Sequence, residues 1–261
     1  MKNIEQEIIP KLTLVGAGPG DPELITIKGI NALASADVVL YDALVNTELL
    51  THTKKEAKRI FVGKRAGSHV YSQNEINNMI VNYAFNFGHV VRLKGGDSFV
   101  FGRGHEELAY AELFNIKVEV IPGISSLYAV PELQHIPLTK RGINESFWVT
   151  TATTSNGKLS EDIYRAADTN AAIIILMGMQ KLKEISEIFI RAGKPEVPAA
   201  IIQNGSLPDE KIGIGRVENL EELALQNELG SPAVIIIGEI VRLHPHAQAI
   251  LKNNLKLNIN Y

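Results

Sequence analysis

An α/β protein of two domains is what this 261-residue sequence predicts, and three observations carry it. Short β-branched runs alternate with amphipathic stretches of helical length, the pattern of a doubly wound, mainly parallel sheet. Several of the runs end at a glycine or in a polar loop, as strands do where they deliver the chain to a ligand-binding rim. The series is interrupted once, at Ile121-Pro122-Gly123, and then begins again. The expected domains are residues 10–123 and 124–245, followed by a polar tail over 246–261.

In the first domain, Leu12–Val15 is a strand ending at Gly16-Ala17-Gly18-Pro19-Gly20-Asp21, and Glu23–Ala34 is a helix with Leu24, Ile27, Ile30 and Ala34 as its apolar positions. Asp37–Tyr41 is the next strand, with Asp42 just past its end, and Arg59–Val62 is a third that runs into Gly63-Lys64-Arg65-Ala66-Gly67-Ser68-His69. Ser72 and Glu75 form a capping-box pattern, which supplies acceptors for helix-start donors. The helix they open has Ile76, Met79, Ile80, Tyr83, Ala84 and Phe87 on one face and stops at Gly88. Val90–Leu93 is a strand that breaks at Gly95-Gly96 and places Asp97 beyond its end; helix Arg103–Phe114 and strand Lys117–Ile121 complete the unit.

The second domain opens with a helical stretch, Ile124–Leu133, whose latter half is disturbed by Pro131, and a loop over Pro137–Gly142. Strand Phe147–Thr151, helix Ser160–Ala167, strand Ala171–Met177 and helix Lys181–Ala192 follow. Strands Pro198–Gln203 and Lys211–Val217, helix Leu220–Gln226 and strand Ala233–Ile237 finish it. Two adjacent strand patterns around Gly205 predict a mixed, partly antiparallel sheet.

Composition narrows the function classes. Hydrophobic residues at 45% and charged residues at 21% exclude a disordered chain. A net charge of −3 gives no whole-chain attraction to nucleic acid or membrane. Cysteine is absent, which excludes disulfides, thiolate metal sites and cysteine nucleophiles, and fits a cytoplasmic protein. Glu5 and Glu7 interrupt any signal-peptide core. The apolar runs Ala171–Met177 and Ala233–Ile237 fall far short of the ~20 residues of a membrane span and read as buried strands. His69 and His105 are isolated, and His244 and His246 merely flank Pro245, so no metal site is expected.

The loops carry the chemistry. The glycine cluster at 16–21 resembles a dinucleotide fingerprint, but Pro19 sits where the phosphate-cradling helix should begin, and no acidic residue closes the second strand in the ribose-binding manner. No lysine follows in the P-loop position, and no G-x-S-x-G elbow frames a serine. Asp42 and Lys64 lie beyond strand ends of one sheet, where a carboxylate and an ammonium suit proton acceptance and donation; a surface ion pair is the competing reading. Lys64, Arg65, His69, Arg92, Lys94, Arg103, Lys140 and Arg141 concentrate positive charge in a slightly acidic chain, which fits an anionic ligand or a solvated surface.

Seven segments come together in order: VGAGPGDPELIT (Val15–Thr26), VVLYDALV (Val38–Val45), GKRAG (Gly63–Gly67), SQNEIN (Ser72–Asn77), VVRLKGGDSFVFGRG (Val90–Gly104), IPGISS (Ile121–Ser126) and IPLTKRG (Ile136–Gly142). As a set the chain resembles the tetrapyrrole methylases over roughly Leu12–Leu243, most of all the branch that C-methylates uroporphyrinogen III. The resemblance implies two α/β domains of the class III methyltransferase kind, with S-adenosylmethionine in the cleft between them and S-adenosylhomocysteine as product. It implies cofactor contacts from Pro19, Gly95, Gly96, Asp97, Val100, Ser125, Ser126, Met177 and Gly205, with Asp42 as proton acceptor and Lys64 as proton donor. A polycarboxylate tetrapyrrole substrate would find partners in Arg65, His69, Arg103, Lys140 and Arg141. Two methyl transfers to precorrin-2, for sirohaem or cobalamin, by a cytoplasmic homodimer complete what the resemblance implies. A sister methylase of a later corrin precursor, or a silent cofactor-binding regulator, are the alternatives. Ser98 stands where the family usually has proline, His105 where it has glycine, and Leu127-Tyr128 where small residues are usual.

Overall fold

The computed structural model describes residues 8–63, 71–154 and 156–251. The chain divides into two compact units, Met1–Ser125 and Ser126–Tyr261.

The first unit is a five-stranded parallel sheet of β1 (Lys11–Gly16), β2 (Val38–Tyr41), β3 (Lys58–Phe61), β4 (His89–Lys94) and β5 (Lys117–Ile121), in the order β3-β2-β4-β1-β5. Its helices are α1 (Ile27–Ser35), α2 (Gln73–Phe87) and α3 (Gly104–Glu112). Because strand side chains alternate between faces, β4 feeds two cores. Val91 and Leu93 join Val15, Val39 and Leu33 of α1, while Val90 joins Leu12, Leu14 and Leu40 beneath Ile76, Ile80 and Ala84 of α2 and Ala111 of α3. Each such aliphatic side chain, fully buried, contributes about 1.5–3 kcal/mol from area removed from water.

α2 begins as its sequence requires. Ser72 Oγ accepts from the Glu75 backbone N–H at 3.3 Å and Glu75 Oε2 accepts from the Ser72 N–H at 2.6 Å. α1 departs from expectation. Pro22–Leu24 forms a separate 3-10 turn, and the helix starts only at Ile27, where Thr26 Oγ1 accepts from the Gly29 N–H at 3.1 Å. The hydroxyl cap fixes the helix start, so the register turns Ile27 to solvent and buries Gly29, Ala32 and Leu33 instead.

The second unit is also five-stranded. Helix α4 (Ser126–Leu133) leads to β6 (Phe147–Thr151), α5 (Asp162–Ala167), β7 (Ala172–Leu176), α6 (Leu182–Arg191), β8 (Pro198–Gln203), β9 (Lys211–Arg216), α7 (Leu220–Gln226) and β10 (Ala233–Ile237). The order is β6-β7-β10-β8-β9, with β6 and β7 parallel and β10 antiparallel to both neighbours, the mixed sheet expected around Gly205. Ile173–Ile175 and Val234–Ile237 are buried on both faces, which explains their unbroken apolar sequence.

The tail expected from residue 246 needs correction. Ala247 and Leu251 are buried in the cluster that holds Val234, Ile236 and Ile240, so 246–251 belongs to the packed unit; 252–261 lie outside the described residues. Among the described residues no helix is long and apolar enough to cross a membrane.

Candidate active site

In the first unit all five strands run the same way, so their carboxyl ends share one rim. The chain leaves β1 toward β2 on one side, and leaves β4 toward β5 on the other, which puts the topological switch point between adjacent β1 and β4. Open α/β sheets hold ligands at that point. Here the two glycine loops meet. Gly18 and Gly96 form an antiparallel bridge, with N–H to carbonyl distances of 3.2 and 2.7 Å. The loop after β5 closes against both: a Cβ on Gly16 would lie 2.5 Å from Gly123 Cα and 2.7 Å from the Gly96 carbonyl oxygen. Only a Cβ-free backbone permits this packing. Gly96 itself has φ +65°, and the space its Cβ would occupy is open.

Asp97 organises these loops. Its Oδ1 accepts from the Phe99 N–H at 2.8 Å and its Oδ2 from the Gly123 N–H at 2.9 Å. Val100 and Pro19 are half-buried beside this arrangement in sequence, and Ser125 is buried.

Asp42 lies at the same rim, one residue past β2. Its Oδ1 accepts from the backbone N–H groups of Leu44 at 3.2 Å and, weakly, of Gly95 at 3.4 Å. Its Oδ2 is 3.7 Å from the Arg92 guanidinium, an ion pair without hydrogen-bond geometry. Arg92 and Lys94 are two apart on β4 and therefore share a face. Both are buried, and both contact Oε1 of the buried Glu107 on α3 at 3.1 Å. Burial pushes the Lys94 ammonium below its ordinary value, and the neighbouring Arg92 charge pushes it further, against the pull of Glu107. The expectation that Arg92 and Lys94 add positive charge in the loops is thus corrected: they sit in a strand and are neutralised from within.

Of the other expected substrate-side cations, Arg103 is exposed and forms a bidentate pair with Glu106 at 2.7 and 2.6 Å. That hydrogen-bonded pairing raises the guanidinium above its usual value and holds the Glu106 carboxyl below the usual carboxylate range. Lys140 and Arg141 are exposed in a loop of the second unit. Lys64, Arg65 and His69 lie outside the described residues.

The second unit gathers a rim of its own. Leu176 pairs with Val234 and Gln203 with Ala233, so β7 and β8 both end beside the start of β10. Met177 follows β7 there with φ 55° and is half-exposed at 52%, while its carbonyl accepts from Thr153 Oγ1 at 3.0 Å. Gly205 follows β8, where a Cβ would lie 2.5 Å from both methyl carbons of Val130 on α4. Ser126 opens the same helix. Ser126, Met177 and Gly205 are thereby placed on elements that adjoin β10.

Glu107 was not among the expected site residues, and Arg92 and Lys94 were expected only as charge facing an anionic ligand. The signal was available, since two cations at i and i+2 on a strand covered by helices must be paired with buried negative charge.

The profile of the Tetrapyrrole (Corrin/Porphyrin) Methylases matches residues 11–221. The chain belongs to this family. Among its relatives, the uroporphyrinogen-III C-methyltransferase of Methanocaldococcus jannaschii is 44% identical over 235 residues, covering 89% of this chain and 97% of that protein. The siroheme synthase of Psychrobacter arcticus is 39% identical over 232 residues, and the chain spans 42% of that longer protein. A crystal structure of uroporphyrin-III C-methyl transferase from Thermus thermophilus, complexed with S-adenyl homocysteine, superposes with a TM-score of 0.77 at 35% identity, covering 89% of this chain and 99% of that one. The two α/β units described above are those of the tetrapyrrole methylase fold.

Proposed function

We propose that this chain is an S-adenosylmethionine-dependent C-methyltransferase that methylates uroporphyrinogen III twice, giving precorrin-2. The observation that carries the reading is the convergence at one switch point of the two glycine loops, Asp97 and Asp42. The similarity to uroporphyrinogen-III C-methyltransferases supports the same substrate.

The residues fit the cofactor. Gly96 leaves open space where a side chain would stand, and Asp97 fixes the loop that carries it. The family resemblance assigns Gly95, Gly96, Val100, Pro19, Ser125, Ser126, Met177 and Gly205 to the cofactor. Bound S-adenosylmethionine supplies a methyl group already activated on a sulfonium.

The protein's own work is to align a ring carbon with that methyl group, exclude water and move protons. An electron-rich reduced pyrrole attacks through carbon and must then lose a proton to restore its conjugation. Asp42, 3.7 Å from the Arg92 guanidinium and partly open to solvent, accepts that proton. Lys64, next in sequence to Gly63, is assigned the complementary donor. Arg65, His69, Arg103, Lys140 and Arg141 are assigned to the substrate carboxylates. The family resemblance also supports a homodimer, which sedimentation of the purified protein tests directly.

Incubation with methyl-labelled S-adenosylmethionine and enzymatically prepared uroporphyrinogen III tests the reading. Label in the macrocycle is expected; its absence, with S-adenosylhomocysteine binding intact by calorimetry, would overturn the substrate assignment.

A further inference from the structure

The group beneath Asp42 has no part in the chemistry so far, although it is buried, charged and fully oriented. Every nitrogen of the Arg92 guanidinium has a partner. Nε donates to Glu107 Oε1 at 3.1 Å, one terminal nitrogen donates to the carbonyls of Leu93 at 3.1 Å and Leu40 at 3.4 Å, and the other faces Asp42 Oδ2 at 3.7 Å. Its direction toward Asp42 is therefore set by the strand it sits on and by Glu107. Glu107 is 1% exposed and gathers Arg92, Lys94 at 3.1 Å and Gln73 Nε2 at 3.2 Å on one oxygen. Arg103, at the start of the same helix, is the other cation that feels its charge. Two cations and two carboxylates then make one charge-balanced cluster.

We propose that Glu107 is a positioning residue for the proposed base: its buried carboxylate locks Arg92 against β4, and Arg92 in turn aims Asp42 at the rim and balances its charge. This rests on the assignment of Asp42 as proton acceptor. A buried charge is costly to keep unless something holds it, and a carboxylate shared between two cations is worth more as a fixed reference than as a source of stability. Without Glu107 the two β4 cations would act on Asp42 unopposed. Both are then free to draw the Asp42 carboxylate toward them and away from the rim. A base drawn off its position removes the proton more slowly.

The test is E107Q, which keeps the side-chain shape, read by a carbon-13 NMR titration of the Asp42 carboxyl and by steady-state kinetics. The Asp42 titration is expected to move to lower pH than in the wild type, because the two cations facing it lose their buried counter-charge. Turnover is expected to fall by about tenfold or more with the KM for S-adenosylmethionine unchanged. Glu107→Asp should recover part of the loss, because it restores the charge. An unmoved Asp42 titration in a folded E107Q protein would overturn the proposal. If E107Q does not fold, R92K provides the second probe: it keeps the charge but loses the fork, and an Asp42 titration and turnover equal to wild type would overturn the proposal equally. The NMR readout separates two failures, for a D42N protein with wild-type turnover would sink the base assignment while leaving the titration result standing.

Discussion

Asp97 binds Gly123 across the switch point: the Asp97 Oδ2 atom accepts from the Gly123 backbone N–H at 2.9 Å, while Oδ1 holds Phe99 at 2.8 Å. One carboxylate thereby fixes the loop after β4 to the loop after β5. Asp97→Ala is expected to leave two backbone donors without their acceptor and to cost about 1–3 kcal/mol of stability. It should also weaken S-adenosylhomocysteine binding, measured by calorimetry, because Gly95 and Gly96 belong to the loop it pins.

Asp42 answers to a different experiment. Asp42→Asn keeps the shape and the acceptor for Leu44 but abolishes proton acceptance. Turnover is expected to drop by about 10²–10⁴-fold, the range for a positioned acid or base. The affinity for S-adenosylhomocysteine should stay at its wild-type value in the same calorimetric titration.

Glycine packing at the same rim is a matter of space. Gly16→Ala would push a methyl group into the backbone of Gly123, which has no side chain to swing away. Overpacking of this kind costs about 1–3 kcal/mol or more. Urea unfolding should show the lowered midpoint, with the loss of stability accompanied by weaker cofactor binding.

His89 gives a pH signature. Burial holds its imidazole below the ordinary histidine value, with Thr13 Oγ1 at 2.8 Å and Ser35 Oγ at 3.3 Å on its two ring nitrogens. A depressed value in the folded state means the unfolded chain binds the proton first. The contribution of His89 is therefore fully present above about pH 6.5 and is lost as pH falls toward the folded value. The difference in unfolding free energy between wild type and His89→Gln should shrink over that window. A difference independent of pH would remove His89 from the account.

Much of the fold was readable because local and global preferences agree. β5, β6, β8, β10 and α7 run between the residues their patterns indicate, and the Ser72–Glu75 box opens α2. Apolar spacing alone starts α1 at Glu23, whereas the Thr26 cap starts it at Ile27 and sets its register. The rim position of Asp42 and the glycine loops could be read from strand ends alone. The partners of Asp42 could not, because Arg92 and Lys94 resemble loop cations until the strand face and Glu107 are placed together. The dual grip of Asp97 was hidden for the same reason, since Gly123 is distant in sequence and meets it only through parallel pairing of β5 with β1.

The proposed chemistry is methyl transfer to a tetrapyrrole carbon with Asp42 removing the proton. The most direct measurement is mass spectrometry of the macrocycle after anaerobic incubation of wild type and Asp42→Asn with uroporphyrinogen III and S-adenosylmethionine. Two added methyl groups in the wild-type product, with unmodified macrocycle recovered from the variant over the same time, is the expected result. A wild-type macrocycle without added methyl groups, or a variant that methylates at the wild-type rate, would contradict it.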